Sequence, residues 1–211
     1  MSKKTKFKIA GLPKAQGLYN PVNEHDACGV GLVLDIKNRP SFDIVEKGLA
    51  MLCNLEHRGA VGADPKAGDG SGLLIQIPHK FLKKKVSKNF SIPKPGEYGV
   101  GVVFIPNNEN DEKKIKSLIE EVCLKEQINI LGWRLCPTYT KELGWSVLPS
   151  TPIVYQLFLE KPDSEKSQDD FEKKLYILRR CIEKEVLEIS DQIQDGFYIP
   201  SFSSRTILYK G

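Results

Sequence analysis

The order in which strand-length apolar runs follow one another constrains this chain more than any other feature. GLLIQIP (72–78), EYGVGVVFIP (97–106), INILGWRLCP (128–137), PIVYQLFLE (152–160) and FYIPSFSSRTILYKG (197–211) come in pairs and groups without a helix between each one. A doubly wound parallel sheet needs a crossover helix after every strand, so this order points to largely antiparallel sheet with helices laid on it. The spacing predicts helices in three places. Behind Ser41 as N-cap, FDIVEKGLAMLCNLEHRG puts Ile44, Val45, Leu49, Leu52 and Leu55 on one face and stops at Gly59. Residues 110–127 carry a stripe of Ile115, Leu118, Ile119 and Val122, and 169–189 read as one long helix. The predicted class is α+β, with a layered or αββα arrangement.

Upstream, CGVGLVLDI (28–36) reads as a further strand closed by a turn at Asn38, Arg39 and Pro40. Residues 1–27 are basic and then polar, broken by Gly11, Pro13, Gly17 and Pro21, with no sustained period of either kind. Residues 1–27 therefore read as an extended leader, and 28–211 as a patterned stretch long enough for one large domain or two small ones. The stretch after Pro78 is a short basic segment with no element assigned to it.

With 211 residues, 40% of them hydrophobic and 27% charged, the chain can bury a real core. Its net charge of +4 is spread out. The densest clusters, Lys3, Lys4, Lys6 and Lys8 and then Lys83, Lys84 and Lys85, lack the interleaved aromatics and arginine forks of nucleic-acid grooves and read as solvated surface. Five scattered cysteines, with no CxxC pair and no histidine at zinc spacing, argue for a reducing compartment and against a disulfide framework or a metal site. The apolar part of the N-terminus is too short for a secretory signal, and no run approaches a membrane span. The cytoplasm is the expected location, a plastid being compatible.

Three features compete for the chemistry. The loop AGDGSG lacks the GxxxxGK[ST] pattern and leads into a strand rather than opening a helix, so it reads as a tight turn requiring positive φ and not as a phosphate cradle. In EHRG, His57 and Arg58 fit helix C-capping, while Arg58 also has the forked, permanent charge to hold a substrate carboxylate or brace the loop after it. Cys28 at a strand start is by default a small buried hydrophobe. Its glycine neighbours Gly29 and Gly31 leave little bulk, however, so a substrate could approach the thiol. Cutting between Ala27 and Cys28 would place an α-amino group, of reference pKa roughly 8, beside that thiol as its base. Each of the other four cysteines has a simple packing reading.

LYNPVNEHDACGVGLV, LEHRGAVGADPKAGDGSGLLIQIPH, GEYGVGVVFIP, LGWR, the FEKKLYILRR helix and FYIPSFSSRTILYKG, in this order and spacing, resemble the N-terminal glutaminase domain of glutamate synthase large subunits. Those domains are type 2 glutamine amidotransferases of the N-terminal nucleophile hydrolase superfamily. The resemblance runs from about Leu18 to Gly211. It implies a four-layer αββα sandwich, incomplete here at its C-terminal end, in which a propeptide is removed and Cys28 becomes the first residue. It also implies that the Cys28 thiolate attacks the side-chain amide of glutamine and forms a thioester that water hydrolyses.

For this segment the resemblance implies no cofactor. For the full-length enzyme it implies FMN, an iron–sulfur cluster, synthase domains on the same polypeptide that receive the ammonia, and a small electron-transfer subunit. In the family the Asn-Gly oxyanion pair and the carboxylate-clamping arginine lie in stretches resembling AHNGEIN and HSRFSTN, downstream of YKG. No Asn-Gly dipeptide occurs in these 211 residues, and Arg205 in SSRT belongs to a different motif. The expectation is that the chain alone has little glutaminase activity and tends to associate. The alternative is a non-catalytic interaction module that retains half of the sandwich.

Overall fold

The computed structural model describes residues 14–17, 29–55, 63–68, 70–189 and 196–210. The elements in order are α1 (Phe42–Asn54), β1 (Gly72–Gln76), α2 (His79–Val86), β2 (Tyr98–Ile105), α3 (Glu109–Lys125), β3 (Ile130–Leu135), β4 (Ile153–Glu160), α4 (Gln168–Leu187), β5 (Tyr198–Ser203) and β6 (Thr206–Lys210). Helix starts are fixed by side-chain caps. Ser41 accepts from the Asp43 amide, Asn108 from the amides of Asn110 and Asp111, and Ser167 from the Asp170 amide, each occupying donors that the first helical turn leaves unpaired.

The strands form a four-stranded sheet in the order β3-β4-β2-β5 and a two-stranded sheet β1-β6, and every pairing among them is antiparallel. The sequence order therefore reported sheet type correctly. In β2, YGVGVVFI, nearly every residue is buried because the strand is covered on both sides. Val103 and Ile105 join Leu157 and Leu159 of β4 against Ile115, Ile119 and Val122 of α3 and Phe171, Leu175, Leu178 and Ile182 of α4. With period two, Tyr98, Val100 and Val102 face the opposite way and pack with Phe158, Leu82 and Val86 of α2, and Ile207 of β6. The helical stripe foreseen on α3 is largely the one buried; Leu118 is its partly exposed member.

Three expectations need correction. The basic segment after Pro78 is helix α2, an eight-residue element whose Leu82 and Val86 are buried while its lysines are exposed. Helix α1 ends at Asn54, ahead of Gly59, with Leu55 closing the last turn onto the Met51 and Leu52 carbonyls. Residues 29–36 carry no strand ladder. Their alternation survives without one: Val33 and Asp35 are half-buried, whereas Val30, Leu32, Leu34 and Ile36 are 93%, 80%, 60% and 95% exposed. The foreseen turn does form, with the Asn38 amide donating to Asp35 O at 2.8 Å and Asn38 itself at φ 52°.

Candidate active site

Cys28 and Arg58, the two candidate site residues, lie outside the described residues, as do Glu56, His57 and the leader residues 1–13. The described elements that adjoin them show how this part of the chain is held. Gly29 and Gly31 pack onto the C-terminal end of α1. A Cβ on Gly29 would lie 2.9 Å from Leu55 Cδ2, and one on Gly31 would overlap the Met51 sulfur and lie 2.8 Å from its Cε. The glycines thus admit a helix, while the expected approach of substrate to the Cys28 thiol lies outside the described residues. Helix α1 in turn approaches β1, where a Cβ on Gly48 would come within 2.9 Å of Leu73 Cδ1. Segment, helix and sheet are therefore layered in close contact, and Gly29, bonded to Cys28, touches Leu55, three residues ahead of Arg58.

The glycine-rich loop is anchored by a residue that sequence reasoning passed over. Asp64 is buried, and its Oδ2 accepts from the Ser146 amide at 2.9 Å and the Ser146 hydroxyl at 2.8 Å, while Oδ1 accepts from the Lys66 amide at 3.1 Å. The Ser146 amide, foremost, holds the Asp64 carboxyl below the usual carboxylate range, with the hydroxyl and Lys66 adding to it against the opposing effect of burial. The approach is close enough that a Cβ on Gly144 would stand 2.6 Å from Asp64 Oδ1. Gly70, at φ 84°, bears out the positive-φ turn before β1. An Asp-Pro pair is a readable turn signal, but nothing local indicates a partner 82 residues away.

The remaining cysteines differ in surroundings. Burial pushes the Cys123 thiol up to about 12, so it is a packing residue of the α3 core. The Cys136 thiol is also raised by burial, against the lowering effect of Arg134, whose Nη1 lies 3.7 Å from the sulfur and donates to Gln156 Oε1 at 2.7 Å. Cys181 is half-buried on α4, while Cys53 is exposed on α1, so a packing role does not hold for Cys53. Arg205, set apart from the substrate clamp on sequence grounds, donates to Asp169 at 2.5 Å at the start of α4. Among the described residues no group of three or more His, Cys, Asp or Glu side chains could hold a metal ion.

The family model for class-II glutamine amidotransferases matches residues 28–211. The chain belongs to this family. It is 45% identical over 201 residues to the glutamate synthase [NADPH] large chain of Bacillus subtilis, a match covering 95% of this chain and 13% of that protein. It is 40% identical over 199 residues to the chloroplastic ferredoxin-dependent glutamate synthase of Oryza sativa subsp. japonica, covering 94% and 12%. Against the glutamate synthase [NADH] of Saccharomyces cerevisiae the identity is 37% over 212 residues, covering 95% and 10%. This class-II amidotransferase chain therefore spans 10–13% of the length of these relatives.

Proposed function

We propose that this chain is the glutaminase part of a glutamate synthase, with Cys28 as its nucleophile after removal of residues 1–27. One observation carries the reading: the class-II amidotransferase match opens on Cys28, the position a processed N-terminal nucleophile would hold. The freed α-amino group, of reference pKa roughly 8, takes the thiol proton. The thiolate adds to the side-chain amide carbon of glutamine. The C–N bond then breaks as the leaving nitrogen takes that proton and departs as ammonia. Water attacks the resulting thioester, the amine again serving as base, and glutamate leaves with the thiol restored. Arg58 is assigned the substrate carboxylate or the bracing of the loop that Asp64 anchors.

The tetrahedral intermediates need oxyanion donors, whose individual loss costs on the order of 10²- to 10³-fold in rate. No Asn-Gly pair is present in the 211 residues, so the chain alone is expected to turn over slowly. Ammonia passes to synthase domains of the longer polypeptide, served by a small electron-transfer subunit. FMN and an iron–sulfur cluster belong to those domains. Cys53, Cys123 and Cys181 sit on three different helices and Cys136 just past β3, and among the described residues no three of them gather as a cluster would need.

The fold proposed for the whole domain is the four-layer αββα sandwich. It is supported by α3 and α4 on one face of the four-stranded sheet, and by β1, β6 and α2 on the other. No helix among the described residues is long and apolar enough to cross a membrane. The proposed location is the cytoplasm or a plastid.

The test is covalent labelling with a diazo-ketone glutamine analogue in the longer synthase polypeptide, read by peptide mass mapping and N-terminal analysis. The expected result is one label, on Cys28, in a protein that begins at Cys28. Labelling that survives Cys28→Ser, or full activity in a protein still carrying residues 1–27, overturns the assignment.

A further inference from the structure

Residues 70–96 contain six lysines and no aspartate or glutamate. The chain's formal net charge of +4 becomes −2 without this stretch, whose density of unopposed basic residues is matched only by the N-terminal residues 1–14. Helix α2 gathers the charge on one side. Leu82 and Val86 turn into the core, while Lys80, Lys83, Lys84, Lys85 and, just past the helix end, Lys88 are exposed. Phe81, Lys84, Lys85 and Lys88 follow at helical spacing and form one stripe.

The other helices pair most of their lysines. Lys113 pairs with Glu109, Lys116 with Glu112, Lys173 with Asp170 and Lys174 with Glu126. No ion pair among the described residues involves a lysine of α2. Attraction to the helix C-terminus accounts for cations in the last turn. It does not account for Lys80 in the first turn, or for an aromatic left open in their midst. Phe81 is 46% exposed, with the Lys85 ammonium 5.5 Å and the Arg134 guanidinium carbon 6.0 Å from its ring centroid.

We propose that the outer face of α2 is a docking surface for an acidic polypeptide segment carrying an apolar side chain that covers Phe81. Charge complementarity selects the partner. Lysine ammoniums are hydrated point charges suited to scattered carboxylates, whereas a nucleic-acid groove calls for arginine forks and several stacking rings, and this face presents one ring.

The test uses the 211-residue chain and two fluorescent probes of equal charge: a peptide of about twenty residues alternating glutamate with leucine, and an oligouridylate. Anisotropy is followed at low and at physiological ionic strength, with circular dichroism confirming that each variant is folded. The peptide is expected to bind more tightly than the oligouridylate. The triple variant Lys84→Glu, Lys85→Glu, Lys88→Glu is expected to weaken peptide binding by at least about tenfold, and Phe81→Ala by several-fold. The control Lys113→Glu, Lys114→Glu, Lys125→Glu on α3 is expected to change it by less than about twofold. Equal losses from both triple variants, tighter binding of the oligouridylate, an unaffected Phe81→Ala, or no peptide binding at physiological ionic strength each overturn the proposal.

Discussion

Replacing Gly31 by valine tests whether the segment that begins beside Cys28 is seated on α1. A Cβ at position 31 would overlap the Met51 sulfur, with Cε at 2.8 Å and Cγ at 3.0 Å, and valine adds two methyl groups beyond it. The thioether must therefore swing away by more than about 1 Å, which places the change among overpacking substitutions costing roughly 1–3 kcal/mol. Valine's branched side chain and stiff χ1 leave it little freedom to yield, so a cost of about 2 kcal/mol is expected. In a Met51→Ala background the same valine enters the space the thioether vacates, and its cost should fall below about 0.5 kcal/mol, the ordinary error of additivity. Urea unfolding of wild type, both single variants and the double variant supplies the four free energies. A coupling of about 1.5 kcal/mol or more supports the packing. A valine cost that is the same with and without Met51 would show that the segment does not rest there. In the longer synthase polypeptide, Gly31→Val is also expected to lower glutaminase turnover.

Phe158→Ala removes a fully buried ring that meets Phe90 edge-on at 5.3 Å and Tyr98 at 6.3 Å between centroids; it should cost roughly 3–5 kcal/mol in the same unfolding assay. Because the folded-state pKa of Asp64 is depressed, the stabilisation it gives is present above the usual carboxylate range and is lost as pH falls through the lower folded value. Protection of the Ser146 amide from exchange, measured against its intrinsic rate, should fall as pH is lowered through the carboxylate range, and Asp64→Asn should flatten that profile. Alkylation of the native chain, mapped by mass spectrometry, should modify exposed Cys53 early and Cys123 only on unfolding, since burial holds that thiol at about 12; early loss of Cys123 would contradict the α3 packing.

The strands were legible because each apolar run is bounded by proline or glycine and each alternates or runs apolar for strand length, features that local backbone chemistry dictates. Helix α2 was not, because KFLKKKV offers only Leu82 and Val86 as its buried pair and opens at Pro78 without a side-chain cap. Residues 29–36 show the opposite failure. Their alternation is real, but a strand also needs a neighbour to complete its ladder, and periodicity carries no information about that neighbour. The glycines at 29 and 31 announced a close approach without saying of what, and Leu55 and Met51 supply the answer. Cys53 was misjudged because hydrophobic character predicts burial only on average, and it lies on the outer side of α1. The proposal of Cys28 as a nucleophile drew on resemblance to a family as well as on its neighbours, since neither charge nor spacing distinguishes a catalytic thiol from a packed one, while Arg58 was singled out only by its charge at a helix end.

The central position of β2 has a temporal consequence during synthesis. Its residues, made by position 105, find their ladder partners in β4 at 153–160 and in β5 at 198–203. At ribosomal speeds of about 5–20 residues per second, the strand waits roughly 5–20 s for its last neighbour. Throughout that interval YGVGVVFI, uncharged and strongly β-forming, is available to other nascent chains. Helix α3, which packs against β2 and is complete at Lys125, leaves the ribosome before either partner strand and can shield one side of it. Substitutions that weaken α3 should therefore lower the soluble yield from rapid expression more than they lower the stability of chains that have already folded.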